Sequence, residues 1–246
     1  MHRKVGLVLL TVVLVFALWH LLVVALRIPP YLIPAPLSVL KAFATNWKVL
    51  LGQTGFTLTA AAIGLAASAV LAASIAIAFS MSRNLAQASL PVVIAFRSAP
   101  VAAIAPIIML FLGRGINTST VVVTIVAFFP LLVNLMRGLA SADRNAAELL
   151  HVYGASRWQL LRFVRIPFAL PFLFTGLRIA GSNAILGAML SEWITGSKGL
   201  GNLILESGEM RETELLWAAV LTSVTIALGV FWITSAGEQK VVHWRQ

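Results

Sequence analysis

The sequence predicts an all-α integral membrane fold: six transmembrane helices in one domain over residues 1–246, with a helical hairpin on one side. Three observations predict it. The chain is 60% hydrophobic and only 11% charged, with a mean hydropathy of +0.96; a soluble domain is nearer half apolar and a quarter charged. Six segments are long and apolar enough for spans of ~20 residues: about 5–26, 55–80, 89–112, 117–138, 168–195 and 214–236. One polar interruption, Ser141 to Pro167, lies between two of them. The apolar runs are continuous rather than alternating, and a lipid-exposed sheet edge is forbidden, so strands are not expected.

The elements follow in order. Met1-His2-Arg3-Lys4 precedes an apolar run from Val5 to Leu26. That run is longer than the core of a signal peptide, and no small-x-small cleavage site precedes Arg27, so it reads as a retained first span. Pro29, Pro30, Pro34 and Pro36 then block helix continuation. Leu40, Phe43, Trp47 and Leu50 fall at helical spacing with Lys41 and Lys48 off the stripe. Two readings stay open: a helix lying in the membrane interface or a short packed connector. The loop Gly196 to Thr213 opens with Gly196, Gly199 and Gly201 and then turns polar. It is expected to hold a re-entrant or short outer helix, with the glycines at turns.

Orientation follows from the loop charges. With six spans both termini share a side. That side holds Arg3, Lys4, Arg83, Arg137, Arg144, Arg157, Arg162, Arg165, Lys240 and Arg245, against Arg27, Lys41, Lys48, Arg114, Lys198 and Arg211 opposite. Basic residues favour the cytoplasm, so both termini and the hairpin are expected there. The net charge of +10 is explained by these flanks, and no soluble basic domain exists to bind nucleic acid. The chain has no cysteine, which excludes disulfides, thiolate metal sites and cysteine nucleophiles.

The hairpin is written locally. Asn145-x-x-Glu148 reads as a capping box. Ala146, Leu149, Leu150 and Tyr153 then give one apolar face. Gly154 stops the helix in a left-handed conformation. After Ala155, Ser156-x-x-Gln159 is a second capping box, with a helix expected to Arg165 and ended by Pro167. An apolar stripe on a short helix needs a partner: this chain's own spans, the lipid headgroups, or a groove on a soluble protein.

This hairpin resembles the cytoplasmic signature of permease subunits of bacterial ATP-binding-cassette (ABC) importers: Glu-Ala-Ala, three residues, Gly, nine residues, an aliphatic residue, one residue, Leu-Pro. Glu148, Gly154 and Pro167 match, with Val164 as the aliphatic residue and Ile166 for Leu; Leu149 and Leu150 replace the two alanines. IPPYLIPAPLSVL at 28–40, SRNLAQASLPVVIAFRSAP at 82–100, YGASRWQLLRFVRIPFALP at 153–171, TGLRIA at 175–180 and SEWITGSKGLGNLI at 191–204 are similar to nitrate/sulfonate/taurine/bicarbonate-type permeases. Thiamine-precursor and riboflavin-type permeases look alike. The resemblance implies a type I importer fold in the bacterial inner membrane. It implies a second permease subunit, expected identical, two ATPase subunits, and an extracytoplasmic solute-binding protein. It also implies that Asn145, Glu148, Leu149, Leu150, Tyr153, Gly154, Ala155, Ser156 and Pro167 form the coupling element. No G-x-x-x-x-G-K-[ST] pattern occurs, so the subunit is expected to be non-catalytic, with no cofactor of its own and ATP and Mg on the partner ATPase. A small polar or anionic solute would cross by alternating access.

Polar residues inside the spans are the pathway candidates. Arg97 lies about 12 Å into the third span and Arg178 about 15 Å into the fifth, where an arginine costs ~3 kcal/mol. Each either bonds backbone carbonyls and snorkels or lines a route for an anion. Glu192 is the acid expected within a span, ~21 Å along the helix from Arg178, too far to pair with it. Asn134, Ser182 and Asn183 are further candidates that could equally bond a neighbouring helix. Gly176, Gly181 and Gly187 allow a close helix approach. The alternative to an ABC permease is an ATP-independent secondary transporter or channel, which usually shows internal repeats and intramembrane acids. A membrane enzyme needs a cluster such as His pairs with carboxylates, and His2, His20, His151 and His243 are scattered.

Overall fold

The computed structural model describes residues 2–82, 84–85, 87–88, 91 and 100–242. Among them every regular element is helical. The order is α1 (His2–Ala25), α2 (Pro36–Thr45), α3 (Trp47–Met81), α4 (Val101–Leu112), α5 (Ile116–Ala140), α6 (Arg144–Val152), α7 (Arg157–Thr195), α8 (Leu200–Glu209) and α9 (Thr213–Val241). Four of these, α3, α5, α7 and α9, are long and apolar enough to cross a membrane, and Leu10–Ala25 and α4 are shorter apolar helices. Most of the first half of the third expected span, 89–112, lies outside the described residues.

The stripe expected from Leu40 to Leu50 is split. Asn46 sits at φ −103°, ψ 18° and its side-chain amide donates to the Ala42 carbonyl at 3.0 Å, a bridge conformation that breaks the helix. Leu40 and Phe43 therefore belong to α2, while Trp47 and Leu50 open α3. Val39 of α2 is buried in a cluster with Leu50, Leu200, Leu203, Ala218 and Ala219.

The core is α3, α5 and α7, packed around Ala72, Ala76, Ala127, Leu131, Leu132 and Ala180. Small residues let the backbones meet. A Cβ on Gly138 would lie 2.8 Å from Phe172 Cβ and 2.9 Å from Ala169 Cα, and one on Gly64 would lie 2.6 Å from Val123. Either addition forces two helices apart. At Gly187 the fit is looser: a Cβ there would lie 3.3 Å from Val126 Cγ2, a contact that a small shift relieves.

Pro167 does not end the hairpin's second helix. The chain runs unbroken from Arg157 to Thr195, through a π-turn over Leu161–Arg165 in which Ile166 N–H donates to the Leu161 carbonyl. A wide turn makes room for the proline ring, which cannot donate to the residue four back. The hairpin is thus fused to the fifth span as one helix of 39 residues, about 58 Å long at 1.5 Å per residue.

Candidate functional site

The hairpin forms where the local signals place it, with one correction. The cap of α6 is Asp143, not Asn145: the Asp143 carboxylate accepts from Asn145 N–H at 3.2 Å and Ala146 N–H at 3.3 Å. Glu148 does not reach back to complete a box. It pairs with Arg144 at 3.0 Å one turn away, an exposed pair of small energetic weight. At the other end Gly154 adopts φ +74°. Gly154 N–H donates to His151 O and Ala155 N–H to Leu150 O, both at 3.0 Å, which is a Schellman closure. Ser156 then caps the next helix in a complete box, accepting from Gln159 N–H while its own N–H donates to Gln159 Oε1 at 2.7 Å.

No residue of α6 is buried. Leu149 is 58% exposed, Val152 83% and Tyr153 79%, so these three, rather than the stripe through Ala146 and Leu150, make the open apolar face. Trp158 and Phe163 are also exposed on the following helix. The hairpin is tied to the core through Arg165, whose guanidinium donates to the Ser80 carbonyl at the end of α3 at 2.7 Å.

The polar residues of the spans fall into three situations. Arg97 lies outside the described residues. Arg178 is paired: its guanidinium sits 2.8 Å from the Glu238 carboxylate, with the two side chains 26% and 22% exposed. The expected last span stopped at residue 236, but α9 continues to Val241 and so carries a second acid. Glu192, the acid the sequence singled out, is fully buried. Its Oε2 accepts from Thr57 at 3.0 Å and from Gly201 N–H at 2.9 Å.

Glu192 belongs to a cap assembled from three helices. The N-terminus of α8 presents three amides. Gly199 N–H donates to Gln53 at 2.7 Å, Leu200 N–H to the Thr57 hydroxyl at 2.9 Å, and Gly201 N–H to Glu192. Helix N-terminal amides lack partners within their own helix, and here α3 and α7 supply them. Gly199 is at φ +139°, and a Cβ there would overlap the Glu192 carboxyl. Gln53 and Thr57 were not singled out by the sequence, and nothing local marks them.

Ser182 bonds back to the Arg178 carbonyl at 3.5 Å and Asn134 to the Pro130 carbonyl at 2.8 Å. Asn183 has no hydrogen-bond partner among the described residues. All three are half-buried. With Thr175 and Arg178, Ser182 and Asn183 follow helical spacing along one face of α7, flanked by the exposed Ile179 and Leu186. A mid-span amide left half-open to hydrocarbon is costly, so this face requires either a protein partner or water.

Comparison with known proteins accounts for this combination. Residues 64–243 match the family described as binding-protein-dependent transport system inner membrane component. The chain is 33% identical over 236 residues to the riboflavin transport system permease protein of Chloroflexus aurantiacus, covering 95% of this chain and 88% of that one. It is 35% identical over 173 residues to the formylaminopyrimidine transport permease protein of Halalkalibacterium halodurans, covering 70% and 69%. It is 25% identical over 255 residues to the taurine transport system permease protein of Escherichia coli, covering 99% and 91%. The fold is similar to that of the MetNI methionine ABC transporter in inward-facing conformations, with a TM-score of 0.72 at 17% identity over 80% of this chain and 98% of that one. The chain belongs to the binding-protein-dependent transport system inner membrane component family, and it is a permease subunit of an ABC importer.

Proposed function

We propose that α6 and the start of α7 dock into a cleft on a separate ATPase, and that α7 carries the resulting movement into the membrane. The observation that supports this most is the open face of Leu149, Val152 and Tyr153 on a hairpin continuous with a spanning helix. An apolar helix face laid into a groove is a common recognition mode. Gly154 provides the bend, and the continuous α7 makes the hairpin a lever rather than a tethered loop. ATP and Mg belong to the ATPase, and this chain does no covalent chemistry.

The functional unit is a pair of these chains with two ATPases and an outer solute-binding protein, in the inner membrane with both termini cytoplasmic. Asn134, Ser182 and Asn183 lie at the face where the two permeases meet. The solute is small and polar. Of the arginines expected along the route, Arg178 is neutralised by Glu238 and offers no free cation. The riboflavin, formylaminopyrimidine and taurine permeases among the relatives support a small polar solute.

Gly154→Val tests the coupling. A β-branched residue is strained at φ +74°, so the bend changes while membrane insertion does not. In proteoliposomes holding the whole complex, solute-stimulated ATPase activity should fall while assembly persists. Stimulation at the original level would refute the role of the bend. Uptake by this chain alone, without any ATPase, would favour a secondary transporter.

A further inference from the structure

A second feature lies outside the α3–α5–α7 core. Helices α1, α2, α3 and α9 enclose a groove of about 650 Å³. Phe16, Phe43, Trp47, Leu51, Leu221 and Leu228 line it. Two threonines in the α9 wall turn their hydroxyls onto their own helix: Thr222 donates to the Ala218 carbonyl at 2.7 Å and Thr225 to the Leu221 carbonyl at 2.8 Å. What they offer the groove is methyl. Thr54 apart, the rest of the lining is apolar, so the space suits hydrocarbon rather than a polar solute.

Its length and its rim identify the occupant. The α9 wall runs from Ala218 to Leu228, ten residue steps or about 15 Å at 1.5 Å per residue. That is half of a hydrocarbon core of ~30 Å, so the groove is one leaflet deep. Its rim is cationic. The Lys48 ammonium lies 5.8 Å from the centre of the Trp47 ring, and Trp47 is part of the lining. Lys41 is an exposed residue of α2, next in sequence to the lining Leu40, and neither lysine has an acidic partner among the described residues. An apolar channel about one leaflet long, with an uncompensated cation at its Trp47 end and a second on α2, matches an acyl chain below a phosphate.

We propose that this groove seats one acyl chain of an anionic phospholipid, with its headgroup held by Lys48 and Lys41. The lipid joins α2 to the α1–α9 side of the subunit and fills space that the chain leaves open. The inference rests on α3 and α9 being membrane spans and is independent of the ATPase reading.

The test is native mass spectrometry of the purified complex titrated with phosphatidylglycerol or phosphatidylcholine of the same acyl chains. One phosphatidylglycerol per permease chain should be retained in preference to phosphatidylcholine. In Lys41→Gln/Lys48→Gln that preference should fall roughly tenfold, with helix content unchanged by circular dichroism. Thr225→Phe, which fills the groove without touching the rim, should expel the bound lipid. Equal retention of the two lipids, or a preference that survives the lysine changes, overturns the headgroup site. Undiminished binding in Thr225→Phe overturns the groove as the seat. Loss of the permease pair in Thr225→Phe with lipid binding intact identifies a second copy as the occupant and also overturns the proposal.

Discussion

Thr57→Val is the sharpest probe of the cap that holds α8. The change keeps the shape of the side chain and removes one hydroxyl. That hydroxyl donates to Glu192 at 3.0 Å and accepts from Leu200 N–H at 2.9 Å, and all three residues are fully buried. Interhelical hydrogen bonds in membranes average ~0.6 kcal/mol, so losing two costs about 1.2 kcal/mol. Leu200 N–H is also left without an acceptor, which adds ~1–3 kcal/mol. The expected total is about 2–4 kcal/mol. Thr234→Val is the control, because its hydroxyl bonds only within its own helix, to the Val230 carbonyl at 2.9 Å, and its cost should stay within ~0.5 kcal/mol. Denaturant titration of each variant in mixed micelles, followed by circular dichroism, measures the difference. Equal midpoints for the two variants would refute the claim that α8 is held from α3 and α7.

Three further outcomes follow from the same geometry. Arg178→Ala leaves the Glu238 carboxylate, about one-fifth exposed, without its partner and should destabilise by ~1–3 kcal/mol, below the figure for a fully buried pair. The double variant Arg178→Ala/Glu238→Ala should recover most of that loss, and strict additivity in the cycle would show that the pair does not interact. Asp143→Ala should loosen the first turn of α6 by ~1 kcal/mol, seen as roughly fivefold faster exchange of the Asn145 and Ala146 amides, while Asn145→Ala should leave them unchanged. The reverse pattern would restore Asn145 as the cap.

What the sequence made legible was local. The apolar runs are continuous over the length of a bilayer, so the spans could be read without knowing their neighbours. Gly154 and the Ser156/Gln159 box each specify a backbone geometry within three residues, and both took the conformation their spacing implies. Asp143 and Asn145 are both good caps. An Asn145 cap needed Glu148 to accept from the Asn145 N–H; Glu148 accepts from the Arg144 side chain instead, and that N–H goes to Asp143. Pro167 misled for a related reason. Its rule assumes an α-helical register, and a π-turn just before it removes the conflict.

The intramembrane polar residues were illegible because their partners are distant in sequence. Thr57 and Glu192 are 135 residues apart and Gln53 and Gly199 are 146 apart. Glu192 could be recognised as costly but not as the cap of a helix that begins at Leu200. Arg178 could be recognised as needing compensation. Its partner Glu238 lay beyond the expected end of the last span, because Gly237 to Val241 is too polar to read as membrane yet continues the helix.

In the proposed mechanism the hairpin is gripped by an ATPase. A photo-crosslinking residue in place of Tyr153, 79% exposed on the tip of α6, tests it most directly in native membranes. The expected adduct joins a second chain that, identified by peptide mass, carries a phosphate-binding G-x-x-x-x-G-K-[ST] loop, and its yield changes with nucleotide. Adducts to lipid or to this chain alone would contradict it.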